Sequence, residues 1–165
     1  MKNIQKIAVL ILAVFALTSV KASVLYWQVE PGTAGDSFQY ALLKATTGSG
    51  DPVTVAGASA QGTAPEQYVS LQNTELGQYG NDSYSFFVEM ANYADGQFQP
   101  VATGATYTYN ELVSSGYVAT GAIDATTAAA NASNFNMGSA VPEPSSGLLL
   151  LMGGAMLALR RRRQK

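Results

Sequence analysis

Eight of the nine basic residues of this 165-residue chain lie at its two ends: Lys2, Lys6 and Lys21 at the start, Arg160, Arg161, Arg162, Arg163 and Lys165 at the finish. Each cluster borders an apolar run, residues 7–17 and residues 147–159. No other feature constrains the fold as strongly. Both runs read as membrane-directed segments and are set apart before any folded unit is counted. What remains, residues 23–140, has room for one small domain, near the size at which a single core begins to sustain a fold. Positive residues are held on the cytoplasmic side of a membrane, so basic ends place the middle of the chain on the far side.

That middle is acidic. Glu30, Asp36, Asp51, Glu66, Glu75, Asp82, Glu89, Asp95, Glu111 and Asp124 face a single lysine, Lys44, which leaves ten negative charges against one positive. Binding phosphates requires a basic patch, so a nucleic-acid partner is excluded. Cysteine is absent, and a domain exported to an oxidising compartment must therefore hold together by packing alone. Histidine is absent too, which removes the commonest general base near neutral pH and the commonest metal ligand.

Residues 1–22 have the order of a secretory signal: Lys2 and Lys6, the apolar run, then small residues. Val20 and Ala22 suit the third and first positions before a cut, which places cleavage between Ala22 and Ser23. The competing reading is a retained anchor, but the apolar run is short against the ~20 residues a spanning helix needs. Signal peptidase and the export machinery are the partners this implies.

At the other end Val141, Pro142, Glu143 and Pro144 precede the apolar residues 147–159 and then Arg160, Arg161, Arg162 and Arg163. The prolines disfavour helix for themselves and for the residues before them, leaving an extended strip that a processing enzyme can grip. The leucine-rich run predicts a transmembrane helix with no polar face, and the arginines are costly to translocate and act as a cytoplasmic stop. In motif, order and spacing this tail, residues 141–165, resembles the PEP-CTERM sorting signal. The resemblance implies recognition by an exosortase, a membrane transpeptidase-like enzyme of Gram-negative bacteria that make extracellular polysaccharide. It also implies a protein first anchored in the inner membrane by its tail and then passed to the cell surface or beyond. A permanent tail anchor is the competing reading.

Between the ends, short apolar runs alternate with turn residues, which predicts strands. Residues 24–30 put Leu25, Trp27 and Val29 on one face, residues 38–45 do the same with Phe38, Tyr40 and Leu42, and residues 83–90 with Tyr84, Phe86, Val88 and Met90. Residues 92–96 read as a turn, and residues 103–109 and 117–120 as further strands. Only residues 65–76 and 109–115 have the makings of short helical turns. The fold class expected is mostly β, a small antiparallel β-sandwich or jelly-roll-like domain over residues 23–122. Residues 123–140, rich in Thr, Ala, Asn and Ser, read as a flexible linker in which residues 128–130 can be locally helical.

Candidate chemistry is sparse. Without histidine a nucleophilic serine has only Lys44 as a base. Ten carboxylates bring some pair close by chance, which is weak ground for glycoside hydrolysis. Asn81, Asp82 and residues 92–95 carry oxygen ligands suited to calcium, but turn residues that bond their own backbone have the same composition. No catalytic residue, cofactor or metal site is assigned. The nine tyrosines and Trp27 admit two readings. They are either core and cross-strand pairs, or an exposed row that stacks on sugars. The function expected is a non-enzymatic cell-surface or matrix protein, with a carbohydrate-binding module of the extracellular polysaccharide as the alternative.

Overall fold

A computed structural model describes residues 22–48 and 50–139. The signal run, the Pro142, Glu143 and Pro144 motif, the helix expected over residues 147–159 and the arginine stop lie outside the described residues. The strands are β1 (Val24–Val29), β2 (Tyr40–Thr46), β3 (Val53–Ser59), β4 (Val69–Glu75), β5 (Ser85–Ala94), β6 (Gln97–Thr103), β7 (Tyr107–Thr108) and β8 (Val118–Ala119). Two helices, α1 (Tyr109–Ser114) and α2 (Ala125–Ala132), follow the main strands.

Two antiparallel sheets pack face to face as a sandwich. One is three-stranded, in the order β4-β1-β8. The other is five-stranded, in the order β3-β2-β5-β6, with β7 pairing the first half of β5 below β6. Strand alternation supplies the core: Leu25, Trp27 and Val29 from β1 meet Ala41, Leu43 and Ala45 from β2 and Phe86, Val88 and Met90 from β5. Trp27 is 1% exposed, and its indole N–H donates to Thr74 Oγ1 at 3.0 Å, so the one polar atom of the ring is satisfied inside.

Residues 65–76, expected to favour helical turns, contain β4 instead. β1 lies at the centre of its sheet, and β4 supplies the ladder on one of its edges from Val69↔Val29 to Glu75↔Val24. Sheet pairing and the burial of Val69 and Thr74 override a weak local preference. The turn after β5 is tighter than residues 92–96. Asp95 and Gly96 have φ of 54° and 78°, and Ala94 pairs directly with Gln97. That is a two-residue hairpin of the type Asp-Gly favours.

The helix expected over residues 109–115 is present as α1. Its N-cap Thr108 accepts from the Glu111 N–H while the Glu111 carboxylate takes the Thr108 N–H, at 3.2 and 2.7 Å. At its other end Gly116, with φ of 75°, lets the Gly116 N–H reach Val113 O and the Tyr117 N–H reach Leu112 O, closing the helix and aiming the chain into β8.

The largest departure from expectation lies in residues 123–139, which are folded against the domain rather than acting as a flexible linker. Asp124 Oδ1 caps α2 by accepting the Thr127 N–H at 2.7 Å, and Ala128 and Ala132 are fully buried where the helix meets β1 and β8. Beyond the helix, Phe135 and Met137 enter the core. The Tyr117 ring stacks on Phe135 with centroids 3.7 Å apart, and Tyr107 meets it edge-on. The composition lacks large apolar residues, but small alanines suit a helix that approaches a sheet closely, and two well-placed large side chains complete the burial.

Candidate functional site

At the N-terminal edge Ala22 is exposed and Ser23 is only 4% exposed. Ser23 Oγ lies 2.7 Å from the Tyr109 hydroxyl, and its carbonyl accepts the Leu76 N–H at 2.8 Å. Ser23, the residue expected to follow the signal cut, is thus part of the packed domain.

The C-terminal edge is equally abrupt. The Met137 N–H donates to Gln28 O, the Glu30 N–H to Asn136 Oδ1 and the Ala105 N–H to Ser139 O, so the last described residues bridge the end of β1 and the gap between β6 and β7. Gly104 faces the Met137 carbonyl with no room for a Cβ, and a Cβ on Gly138 would stand 2.7 Å from Val29 Cγ1. This junction also explains why residues 103–109 do not form one continuous strand: the Gly104 N–H still bonds Val88 O of β5, but the Ala105 N–H turns away to Ser139 O of the returning chain. Only residue 140 separates Ser139 from Val141.

The outer face of the five-stranded sheet carries the exposed chemistry. With Ala41, Leu43 and Ala45 turned inward, Tyr40, Leu42 and Lys44 of β2 face out, as do Phe87, Glu89, Ala91 and Tyr93 of β5. β6 adds Phe98 opposite Tyr93 and Pro100 opposite Ala91; proline is tolerated because β6 is an edge strand. Phe98 meets Tyr40 and Tyr93 edge-on, with centroids 5.5 and 5.1 Å apart. Tyr93 and Phe98 are 50% and 44% exposed. Two residues along the strand from Ala91, Glu89 Oε1 lies 3.3 Å from Lys44 Nζ. The face thus exposes aromatic surface beside a strand whose Glu89 is paired with Lys44.

Other candidates of the sequence find local partners. Lys44, the one available base for a serine, is engaged by a carboxylate. Asn81 donates to Gln78 O and accepts from the Ser83 N–H, and Asn92 donates to Ser37 O, so these side chains shape loops. Among the acidic groups, the Thr108 N–H and hydroxyl hold the Glu111 carboxyl below its usual range, and the Thr127 N–H does the same for Asp124. Trp27 lies in the core, and Tyr26, Tyr79, Tyr84, Tyr107, Tyr109 and Tyr117 pack against it. Tyr93, with Tyr40 beside it, differs. Sequence reasoning passed over Phe98, which sits on a strand of Gln and Pro; its signal was Asp95-Gly96 followed by alternation of Phe98 with glutamines.

Residues 140–164 match the PEP-CTERM protein-sorting motif. The chain ends in that motif. It covers the stretch containing Val141, Pro142, Glu143, Pro144 and the four arginines, and a PEP-CTERM motif implies an exported protein that exosortase processes and sorts to the cell surface. Neither the curated proteins nor the solved structures contain a match to the chain. No helix among the described residues is long and apolar enough to cross a membrane.

Proposed function

We propose that the chain is a non-enzymatic cell-surface or extracellular-matrix protein, delivered by signal peptidase and the export machinery and held in the inner membrane by residues 147–159. An exosortase-type enzyme then acts near Pro142, Glu143 and Pro144 to pass the domain outward. The observation that carries this reading is the PEP-CTERM match over residues 140–164, which begins immediately after a domain whose packing extends to Ser139. The absence of histidine and cysteine supports a structural rather than catalytic role, because it removes the commonest general base near neutral pH and the strongest side-chain nucleophile.

The test is expression of the full chain in matched hosts with and without an exosortase, followed by intact mass of each fraction. In the first host the extracellular form starts at Ser23 and lacks Arg160, Arg161, Arg162 and Arg163; in the second the protein stays in the membrane. A product that keeps its arginine stop in both hosts contradicts the proposal. Hydrolase activity abolished by changing one carboxylate would contradict its non-enzymatic part.

A second reading rests on Tyr40, Tyr93 and Phe98. Aromatic rings left about half exposed on the outer face of the five-stranded sheet favour an extracellular polysaccharide as ligand, with a sugar ring stacking on Tyr93 or on Phe98.

A further inference from the structure

A strand at the edge of a sheet leaves a row of N–H and C=O groups unpaired, and domains that stay single guard such rows with charge, proline or cover. Most edges of this sandwich are guarded. β7 and β8 have two residues each, and α2 packs on β8. β4 carries Glu75, and its start is closed where Gln61 and Tyr68 exchange N–H···O bonds at 2.8 and 3.0 Å. On β6, Pro100 lies opposite Ala91, whose carbonyl accepts the Gln39 N–H and so faces β2. The Pro100 nitrogen therefore points to the free edge of β6, where it has no N–H to offer.

β3 differs. Its seven residues, Val53–Ser59, include no charge and no proline, and Val53 is 47% exposed. The Ala60 N–H donates to Gln39 O at 2.8 Å, so alternation turns Ala58 toward β2 and turns Gly57 and Ser59 toward the free edge. The register shift at Leu43/Lys44 places one extra residue in β3, and beyond it Thr54 faces outward as well. Thr54, Gly57 and Ser59 stand opposite Lys44, Leu42 and Tyr40, so all three lie on the outer face.

We propose that this edge pairs antiparallel with β3 of a second copy of the chain, about a two-fold axis at Gly57. With the bulge counted as one position, Gly57 falls opposite its equivalent and Thr54 opposite Ser59 of the other copy. Those are the residues whose backbone groups face the edge, so the seam satisfies them in register. Charge selects the second copy. Ten carboxylates stand against Lys44, which is itself paired with Glu89, so like domains repel over most approaches. Along β3 no charges oppose one another, and the axis sends the two Asp51 carboxylates to opposite ends of the seam. Nor does β3 hold a carboxylate that would attract a cationic strand from another protein. A seam of this length is small beside the ~1,600 Å² of a standard interface, so the pair forms at high protein concentration and separates on dilution.

The experiment follows the full chain in detergent by sedimentation velocity, over a concentration series up to ~1 mM. Two double variants, Thr54→Glu with Ser59→Glu and Thr54→Lys with Ser59→Lys, set like charges opposite each other in the seam, and thermal melting checks that each is folded. Each variant alone needs roughly tenfold more protein than the parent to reach the same dimer fraction. A one-to-one mixture of the two recovers the parent's behaviour, since Glu now meets Lys. Gln97→Glu with Gln99→Glu, on β6, leaves the dimer fraction unchanged. A parent that is monomeric throughout the series overturns the proposal, as does dimerisation that neither β3 variant weakens. Folded variants that stay apart even when mixed overturn it too, because an antiparallel seam about Gly57 must bring Glu and Lys together.

Discussion

Trp27 and Phe98 mark two opposite uses of aromatic surface in one small domain. Trp27 is sealed between the sheets, with its N–H bonded to Thr74 and its ring among side chains of both sheets. Phe98 stands on the outer face of the five-stranded sheet, 44% exposed, in edge-to-face contact with Tyr40 and Tyr93. The first arrangement is what a cysteine-free exported domain needs for stability. The second contributes less to folding, and it is the surface on which the proposed carbohydrate reading rests.

The largest expected effect is on the sealed side. Trp27→Ala removes the ring and leaves the Thr74 hydroxyl buried without its donor, at a cost of about 3–5 kcal/mol. Thermal melting should fall by more than about 10 °C. A variant that melts within a few degrees of the parent would mean that the sheets are not closed around Trp27.

The closing segment at Ser139 should behave as part of that sealed region. Gly104→Ala pushes a methyl group into the Met137 carbonyl, and the expected loss is about 1–3 kcal/mol by chemical denaturation. An unchanged midpoint would return residues 133–139 to the role of spacer.

On the exposed side the expectation reverses. Joint replacement of Tyr93 and Phe98 by alanine should change stability by only about 1–2 kcal/mol, since both rings are already about half exposed. Retention on immobilised extracellular polysaccharide should drop markedly, measured by affinity electrophoresis. Equal retention of parent and variant removes the carbohydrate reading and leaves the matrix role alone.

The smallest effect concerns the helix ends. The carboxyl groups of Glu111 and Asp124 are lowered in the fold by hydrogen bonds from Thr108 and Thr127. Their stabilisation is present above the ordinary carboxylate value and is lost as pH falls through the lowered folded value. Asp124→Asn keeps a capping oxygen but removes the charge. It should melt slightly below the parent at pH 7, and the gap should close as pH drops below about 4. A gap that widens in acid would reverse the assigned direction.

The sandwich was legible where strands had clear alternation, as in β1, β2 and β5. β3 was missed because its run of Val, Ala and Gly has little bulk, and β6 because Pro100 and two glutamines hide an edge strand. Residues 123–139 misled because composition measures average hydrophobicity, whereas burial there depends on where Ala128, Ala132, Phe135 and Met137 fall. The sorting motif was legible in the sequence, since residue types in order and spacing are all that the match over residues 140–164 requires. The aromatic face was only half written, because the register of β5 and β6 is what brings Tyr93 and Phe98 together.

The account rests most heavily on the tail. In the proposed function residues 147–159 hold the chain in the membrane and Pro142, Glu143 and Pro144 are what an exosortase reads. Replacing Pro142, Glu143 and Pro144 together by alanine preserves the apolar run and the arginines. In a host with an exosortase, fractionation and intact mass should find this variant at full tail length in the inner membrane, while the parent is processed and released. If the triple variant is processed and released like the parent, the motif is not the recognition element and residues 147–159 are an ordinary anchor.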